Sequence, residues 1–132
     1  MFIIEKADYG VKMTFGGSIR ADEMKSWFMA SQVILKSLPS KFSLLADMRE
    51  LKSIDEVSHR ILQNGQKLFR SAGMERSAVV LASAFENFQY EQYALLTGTI
   101  EGERYLYASK TQNWEDVSKE WLLNNMDPNI QE

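Results

Sequence analysis

The sequence predicts one α/β domain with a mixed β-sheet, in the element order β-β-α-β-α-β-α-β-α. Two short strand-like segments at the start flank a turn, which is typical of an antiparallel hairpin. After them, strand-like apolar runs alternate with helical stretches, and such strands usually pair in parallel through right-handed crossovers. A chain of 132 residues, 45% of them hydrophobic, is long enough to bury one core. The predicted domain covers residues 1–132, with a frayed tail over residues 126–132.

The first elements are a hairpin and a helix. Residues 2–6 and 11–15 are short strand-like runs, and apolar and polar side chains alternate in the second. The turn between them contains Gly10. Asp22 is a good N-cap residue, and apolar residues recur after it at spacings of three and four. This spacing predicts a helix that Pro39 ends.

The central unit is a strand followed by a helix. Residues 42–47 form a nearly continuous apolar run, as expected for a strand covered on both faces. Ser53 and Glu56 match the S-x-x-E capping box, so the next helix is predicted to open at Ser53. It should continue to about Ala72, where Gly73 supplies a left-handed stop.

The remaining elements follow the same alternation. Residues 77–82 predict a second buried strand, and residues 85–97 predict a helix. Residues 104–108 predict another strand, and residues 113–125 a last helix. A strand-end surface beside helix starts is therefore the predicted place for a site.

Composition excludes several functions. Fifteen Lys and Arg residues against eighteen Asp and Glu residues give a net charge of -3, which offers no general attraction for nucleic acid. No cysteine is present, so disulfides, thiolate metal sites and thiol nucleophiles are impossible. No apolar run approaches the roughly 20 residues that span a bilayer, and the start does not resemble a signal peptide. We therefore predict a cytoplasmic protein without a membrane span.

The sequence offers little catalytic chemistry. His59 is the single histidine, and its helical position predicts that it faces solvent. No spacing typical of metal ligands, phosphate-binding loops or nucleophile elbows occurs. Acidic residues near the end of the central strand could act as acid and base, but exposed loop charges explain them more simply. We predict no enzyme, catalytic residue, metal or cofactor.

The region from Leu44 to Leu62 resembles the STAS fold, in which a strand ending in L-D-L-S precedes an I-D-S-S helix start. Asp47 aligns with the Asp at the end of the strand, Ile54 and Asp55 align with I-D, and Glu56 falls at the seryl phosphoacceptor. The closing segment, residues 114–122, resembles the last helix of the SpoIIAA-like subfamily, which is related in shape to CRAL-TRIO domains. The resemblance implies a STAS-like (SpoIIAA-like) mixed sheet.

The resemblance also implies a regulatory domain that binds a protein partner, either kinase-like or a regulator. The implied interaction surface consists of Asp47, Arg49, Asp55, Glu56 and Ser58. Glu56 cannot accept a phosphoryl group, so it either mimics the modified state or is a plain capping residue. Ser53 and Ser58 flank it and remain candidate modification sites.

Two further interpretations stay open. An aromatic-rich segment could form an apolar pocket for a lipid or small molecule, as in CRAL-TRIO relatives, although ordinary core packing explains it more simply. The candidate pocket residues are Phe85, Phe88, Tyr93 and Tyr105. An edge strand or exposed aromatic residues could also support a homodimer.

Overall fold

The computed structural model describes residues 1–83 and 102–128. Its elements are β1 (Phe2–Ala7), β2 (Gly10–Ile19), α1 (Ala21–Leu35), β3 (Phe42–Ile54), α2 (Glu56–Ala72), β4 (Met74–Leu81), β5 (Glu103–Tyr107) and α3 (Trp114–Asn124). The helix predicted for residues 85–97 lies outside the described residues. The other predicted elements occur in the predicted order.

Within the described residues, five strands form one sheet in the order β1-β2-β3-β4-β5. β1 and β2 are antiparallel, and every other neighbouring pair is parallel. The predicted mixed sheet with an initial hairpin is therefore confirmed. Each strand lies beside the strand that precedes it in the chain, as short crossover connections favour.

Helices cover both faces of the sheet and create two apolar clusters. The larger cluster joins α1 and α2 to the sheet around Trp27 and Phe69. The smaller cluster joins α3 to the opposite face around Trp121. Leu44 belongs to the larger cluster and Leu45 to the smaller, which explains why the central strand reads as a continuous apolar run.

The prediction that β3 ends at Asp47 is wrong, because the strand continues to Ile54. Its pairing with β4 stops at Asp47, but its pairing with β2 continues to the end of both strands. Two register shifts interrupt this second stretch, so β3 contains β-bulges there. Met48 and Leu51 are buried in the larger cluster, and this long-range burial keeps the segment extended.

The start of α2 also differs from the prediction. Asp55 is the N-cap, and its side chain accepts a hydrogen bond from the Ser58 amide at 2.7 Å. Ser53 lies in β3 instead, where its hydroxyl bonds the Ser18 hydroxyl at 2.9 Å. The predicted capping box is therefore wrong, because pairing with β2 holds Ser53 in a strand. The predicted stop at Gly73 is confirmed by its φ of 119°.

Arginine contacts fix α3 on the sheet. The Trp121 indole donates to the Ser77 carbonyl at 3.1 Å, and Arg76 Nε donates to the Trp121 carbonyl at 2.9 Å. The Arg104 guanidinium lies 4.4 Å from the centre of the Trp121 ring and forms a bidentate ion pair with Asp127. α3 is thus held at its last turn by charges from β4 and β5.

Candidate functional site

The structure divides the predicted interaction surface between two places. Asp47 and Arg49 lie where β4 ends, on the sheet face that carries α3. Asp55, Glu56 and Ser58 lie at the start of α2, after the last residue of β3. Seven residues of strand lie between Asp47 and Asp55. The eight residue steps from one to the other span about 26 Å if fully extended. The two groups therefore do not form one continuous acidic surface along the chain.

At the first place, Asp47 is bound within the strand that carries it. Its carboxylate accepts from Arg49 Nε at 2.9 Å, from Arg49 Nη2 at 3.0 Å and from the Arg49 amide at 3.1 Å. The register jumps from Thr14 opposite Asp47 to Gly16 opposite Glu50, so Arg49 lies in a bulge. Asp47 is only 5% exposed and satisfies the amide that the bulge leaves unpaired. It is not part of an exposed acidic surface.

Arg49 connects this bulge to α3. Its guanidinium lies 4.3 Å from the centre of the Trp114 ring, at the first residue of the helix. The hydrogen bond to Asp47 is the main reason that the pKa of Arg49 is raised. A guanidinium that is stacked on a ring and paired with a carboxylate stabilises the contact between strand and helix. The Asp47 carboxylate is already bound by Arg49.

At the second place, the first turn of α2 is exposed. The Glu56 side chain is 78% exposed and pairs with Arg60 at 2.9 Å. Val57, the next residue after Glu56, is 50% exposed, although the apolar spacing over residues 54–72 predicts that it faces the core. The hydrogen bond from the Ser58 amide is the main reason that the pKa of Asp55 is held below its usual range. We call Asp55, Glu56, Val57 and Arg60 the α2 turn surface.

The two candidate modification sites differ in access. Ser58 is fully buried, so it is neither part of an exposed surface nor open to a kinase unless the first turn of α2 opens. Ser53 is exposed near the end of β3. Of the two serines, only Ser53 is placed where a modifying enzyme could reach it in the folded chain.

The prediction that His59 faces solvent is wrong, since it is 8% exposed. The buried residues of α2 are Ser58, His59, Leu62, Gly65 and Phe69. At 100° per residue, this face is rotated by about 70° from the stripe that the apolar spacing predicts. The residues of the predicted stripe are Ile54, Val57, Ile61, Gly65, Leu68, Phe69 and Ala72. The packing of α2 against α1 and β4 decides which face is buried, and it overrides the apolar pattern.

We expect the buried His59 to make stability depend on pH. Burial lowers the pKa of His59 below its usual 6.5, so the unfolded chain binds its proton more tightly than the folded chain. The free energy of unfolding should therefore fall as pH decreases below about 6.5. Urea denaturation at several pH values from 7.5 to 5 measures this loss. In His59→Gln, the free energy of unfolding should depend less steeply on pH. Equal slopes in both proteins would contradict the expectation.

The other predicted site residues give less information. Phe85, Phe88 and Tyr93 lie outside the described residues, and Tyr105 is partly buried against the larger cluster. In residues 1–83 and 102–128, no three His, Cys, Asp or Glu side chains are grouped to hold a metal. No helix in the same ranges is long and apolar enough to cross a membrane.

Comparison with known proteins identifies the fold. A crystal structure of an uncharacterised DUF3478-family protein from Shewanella loihica PV-4, described as having a SpoIIAA-like fold, matches with a TM-score of 0.62. The match covers 89% of this chain and 92% of that chain at 12% sequence identity. No protein-family model and no curated protein matches the sequence. The chain has a SpoIIAA-like fold, which confirms the predicted fold class and leaves the function to be argued from the site.

Proposed function

We propose that this chain is a non-enzymatic, STAS-like regulatory domain that binds another protein through the α2 turn surface. The observation that carries the proposal is Val57, an apolar side chain that is half exposed beside the exposed ion pair of Glu56 and Arg60. A small apolar centre with a charged rim is the usual composition of a protein interface. The SpoIIAA-like fold supports this choice. In the resemblance to STAS domains, Glu56 in the first turn of α2 aligns with the serine that accepts the phosphoryl group.

The charges on this surface are available to a partner at little cost. Glu56 and Arg60 form an exposed pair four residues apart, which contributes at most about 0.5 kcal/mol to the helix. A partner can therefore replace either charge without unfolding the turn. Glu56 also carries a permanent negative charge at a helix start, where such a charge is favourable. We propose that this charge replaces the regulated charge of a phosphorylated serine.

The acidic residues near the strand end fit this function better than catalysis. Asp47 is committed to the bulge amide and to Arg49, and Asp55 is committed to the Ser58 amide. A general acid or base must instead meet a substrate proton within hydrogen-bond distance. These carboxylates support the scaffold, and we propose that it presents a surface to a regulator or a kinase-like protein.

Charge reversal at Glu56 tests the proposal. We expect immobilised wild-type protein to capture a specific partner from its host lysate, and Glu56→Lys to lose that partner. The reversed charge would face a partner selected for an acidic helix start, and like charges at an interface weaken binding. Mass spectrometry of the captured proteins, followed by a binding measurement with the purified partner, gives the result.

Glu115→Lys is the matched control. Glu115 is also an exposed glutamate in the first turn of a helix, but that helix packs on the opposite face of the sheet. The partner should remain bound to this variant, and both variants should unfold at similar urea concentrations. Equal capture by all three proteins, or equal loss from both variants, would reject the α2 turn surface.

A further inference from the structure

The outward face of α1 carries two exposed apolar side chains at its centre. Met29 is 67% exposed and Val33 is 68% exposed, the two highest values among the large apolar residues that the structure describes. They are four residues apart, so they lie on the same face of the helix. The opposite face of α1 buries Met24, Trp27 and Ser31. Neither exposed side chain stabilises the folded chain by burial, and an exposed valine is also a weaker helix former than alanine.

Charged residues flank this apolar centre along the same face. Asp22, Lys25 and Lys36 are exposed, and at 100° per residue all three lie within about 40° of the direction of Met29. Lys36 is the C-cap, and its helical dihedral angles (φ -65°, ψ -21°) keep it in phase with the helix. No ion pair involves Asp22 or Lys36 in the ranges that the structure describes. We call Asp22, Lys25, Met29, Val33 and Lys36 the α1 outer stripe.

The order of charges along the α1 outer stripe is complementary to a second copy of itself. Asp22 and Lys36 are both seven residues from Met29. When two such helices pack antiparallel about a twofold axis at Met29, Asp22 of one copy meets Lys36 of the other, and the axis repeats this pair. Lys25 and Val33 are both four residues from Met29, so the alkyl stem of Lys25 covers Val33 of the other copy. A parallel arrangement would instead place like charges together.

We propose that the α1 outer stripe is the interface of a homodimer, in which two copies of this chain pack their first helices antiparallel about Met29. The contact extends about 21 Å from Asp22 to Lys36. A single helix pair of this length lies at the small end of specific interfaces, which bury less than about 1,200 Å² in total. The dimer should therefore be transient and form at micromolar concentrations of the chain.

This interface differs from the two that the sequence suggests for a homodimer, an edge strand and exposed aromatic residues. It shares no residue with the α2 turn surface and does not rest on the proposed function. A membrane surface is a poorer occupant, because Asp22 and the net charge of -3 repel anionic lipid. A second copy matches both the acidic and the basic end of the stripe.

A single introduced cysteine tests the geometry, because the natural chain contains none. Met29→Cys places the thiol at the twofold axis, so we expect oxidation to join two chains by a disulfide. Lys25→Cys is the control, since its two copies lie four residues to either side of the axis, about 12 Å apart along the helix. A disulfide requires Cα atoms within about 7 Å, so this variant should remain uncrosslinked. Denaturing electrophoresis without reductant measures both.

Two charge reversals test the pairing of the ends. Asp22→Lys places lysines opposite each other, and Lys36→Asp places aspartates opposite each other. Each should weaken self-association by about fivefold or more, because the symmetry doubles the change. A mixture of the two variants should form a mixed dimer about as tight as the wild type, since every pair again has opposite charges. This recovery cannot come from a more stable helix, because both reversals oppose the helix dipole.

Sedimentation velocity over a series of protein concentrations measures the association and allows one more comparison. Met29→Glu would bring two carboxylates together at the axis and should leave the chain monomeric. Leu123→Glu is the matched control, because Leu123 is also an exposed apolar residue on a helix, but α3 packs on the opposite face of the sheet. This variant should dimerise like the wild type.

Several results would overturn the proposal. A wild type that stays monomeric at every concentration rejects the homodimer, and binding of that monomer to anionic vesicles would indicate a membrane surface instead. Equal loss of the dimer in Met29→Glu and Leu123→Glu rejects the α1 outer stripe. A dimer that survives Met29→Glu and is lost in Ile3→Lys would place the interface at the edge strand β1. Failure of the two charge-reversed variants to associate rejects the antiparallel pairing of the ends.

Discussion

Gly65→Ala is expected to lower the free energy of unfolding by about 2 kcal/mol, even though alanine is the better helix former. Gly65 lies in α2 directly against the six-membered ring of Trp27, and an added Cβ would lie far inside van der Waals contact of that ring. The propensity gain of alanine is about 1 kcal/mol. Overpacking costs about 1–3 kcal/mol, and more where the neighbour cannot move.

Trp27 has little freedom to withdraw from the added methyl group. Its ring packs 5.7 Å from the Phe15 ring and 6.4 Å from the Phe69 ring, centre to centre. Urea denaturation measures the loss. An unchanged m value, the slope of the free energy of unfolding against urea concentration, would show that only stability has changed. Because the neighbouring Asn64 is exposed, Asn64→Ala should be neutral or slightly stabilising.

A second substitution tests the stated cause. In a Trp27→Leu background, Gly65→Ala should lose most of its penalty because the clashing ring is absent. Contacting residues commonly couple by about 0.5–3 kcal/mol in such a cycle. Additive effects of the two substitutions would show that the indole contact is not the reason for the glycine.

Asp47→Ala is expected to destabilise the fold by about 2–3 kcal/mol. The substitution removes three acceptor contacts at once, leaving the Arg49 amide in the bulge and the guanidinium over Trp114 without their carboxylate. Breaking a fully buried ion pair costs about 3–5 kcal/mol. The cost here should be lower because the Arg49 side chain is partly exposed and can turn to water. Thermal or urea unfolding measures the change.

Nearby substitutions distinguish the amide contact from the ion pair. Asp47→Asn retains an acceptor for the bulge amide and should cost less than Asp47→Ala. Glu50→Ala is the control, because Glu50 is an exposed acid on the same strand. It should change stability by less than about 0.5 kcal/mol. A loss for Glu50→Ala as large as that for Asp47→Ala would mean that net charge, and not the bulge, is responsible.

These two sites show what local sequence patterns could not predict. The sequence predicts the strand that begins at Phe42, but it predicts a connection after Asp47 where the strand continues to Ile54. The segment that follows mixes charged residues with Met48 and Leu51, and no regular alternation marks it because bulges shift the register. Its pairing with β2 depends on residues more than thirty positions earlier in the chain.

The helix phase of α2 was also undetermined by the local pattern. The sequence predicts a start at Ser53 with Glu56, but the helix is capped by Asp55 instead. Because the strand continues to Ile54, the helix begins later and His59 becomes buried while Val57 becomes exposed.

The sequence by itself determined the order of the described strands and helices, the initial hairpin and the apolar central strands, because these depend on periodicity, turn residues and local helix stops. Only the tertiary structure decided the length of β3, the face that α2 buries and the bulge contacts of Asp47. Each of these depends on contacts between segments far apart in the chain, where the free energy of shared burial exceeds local preference.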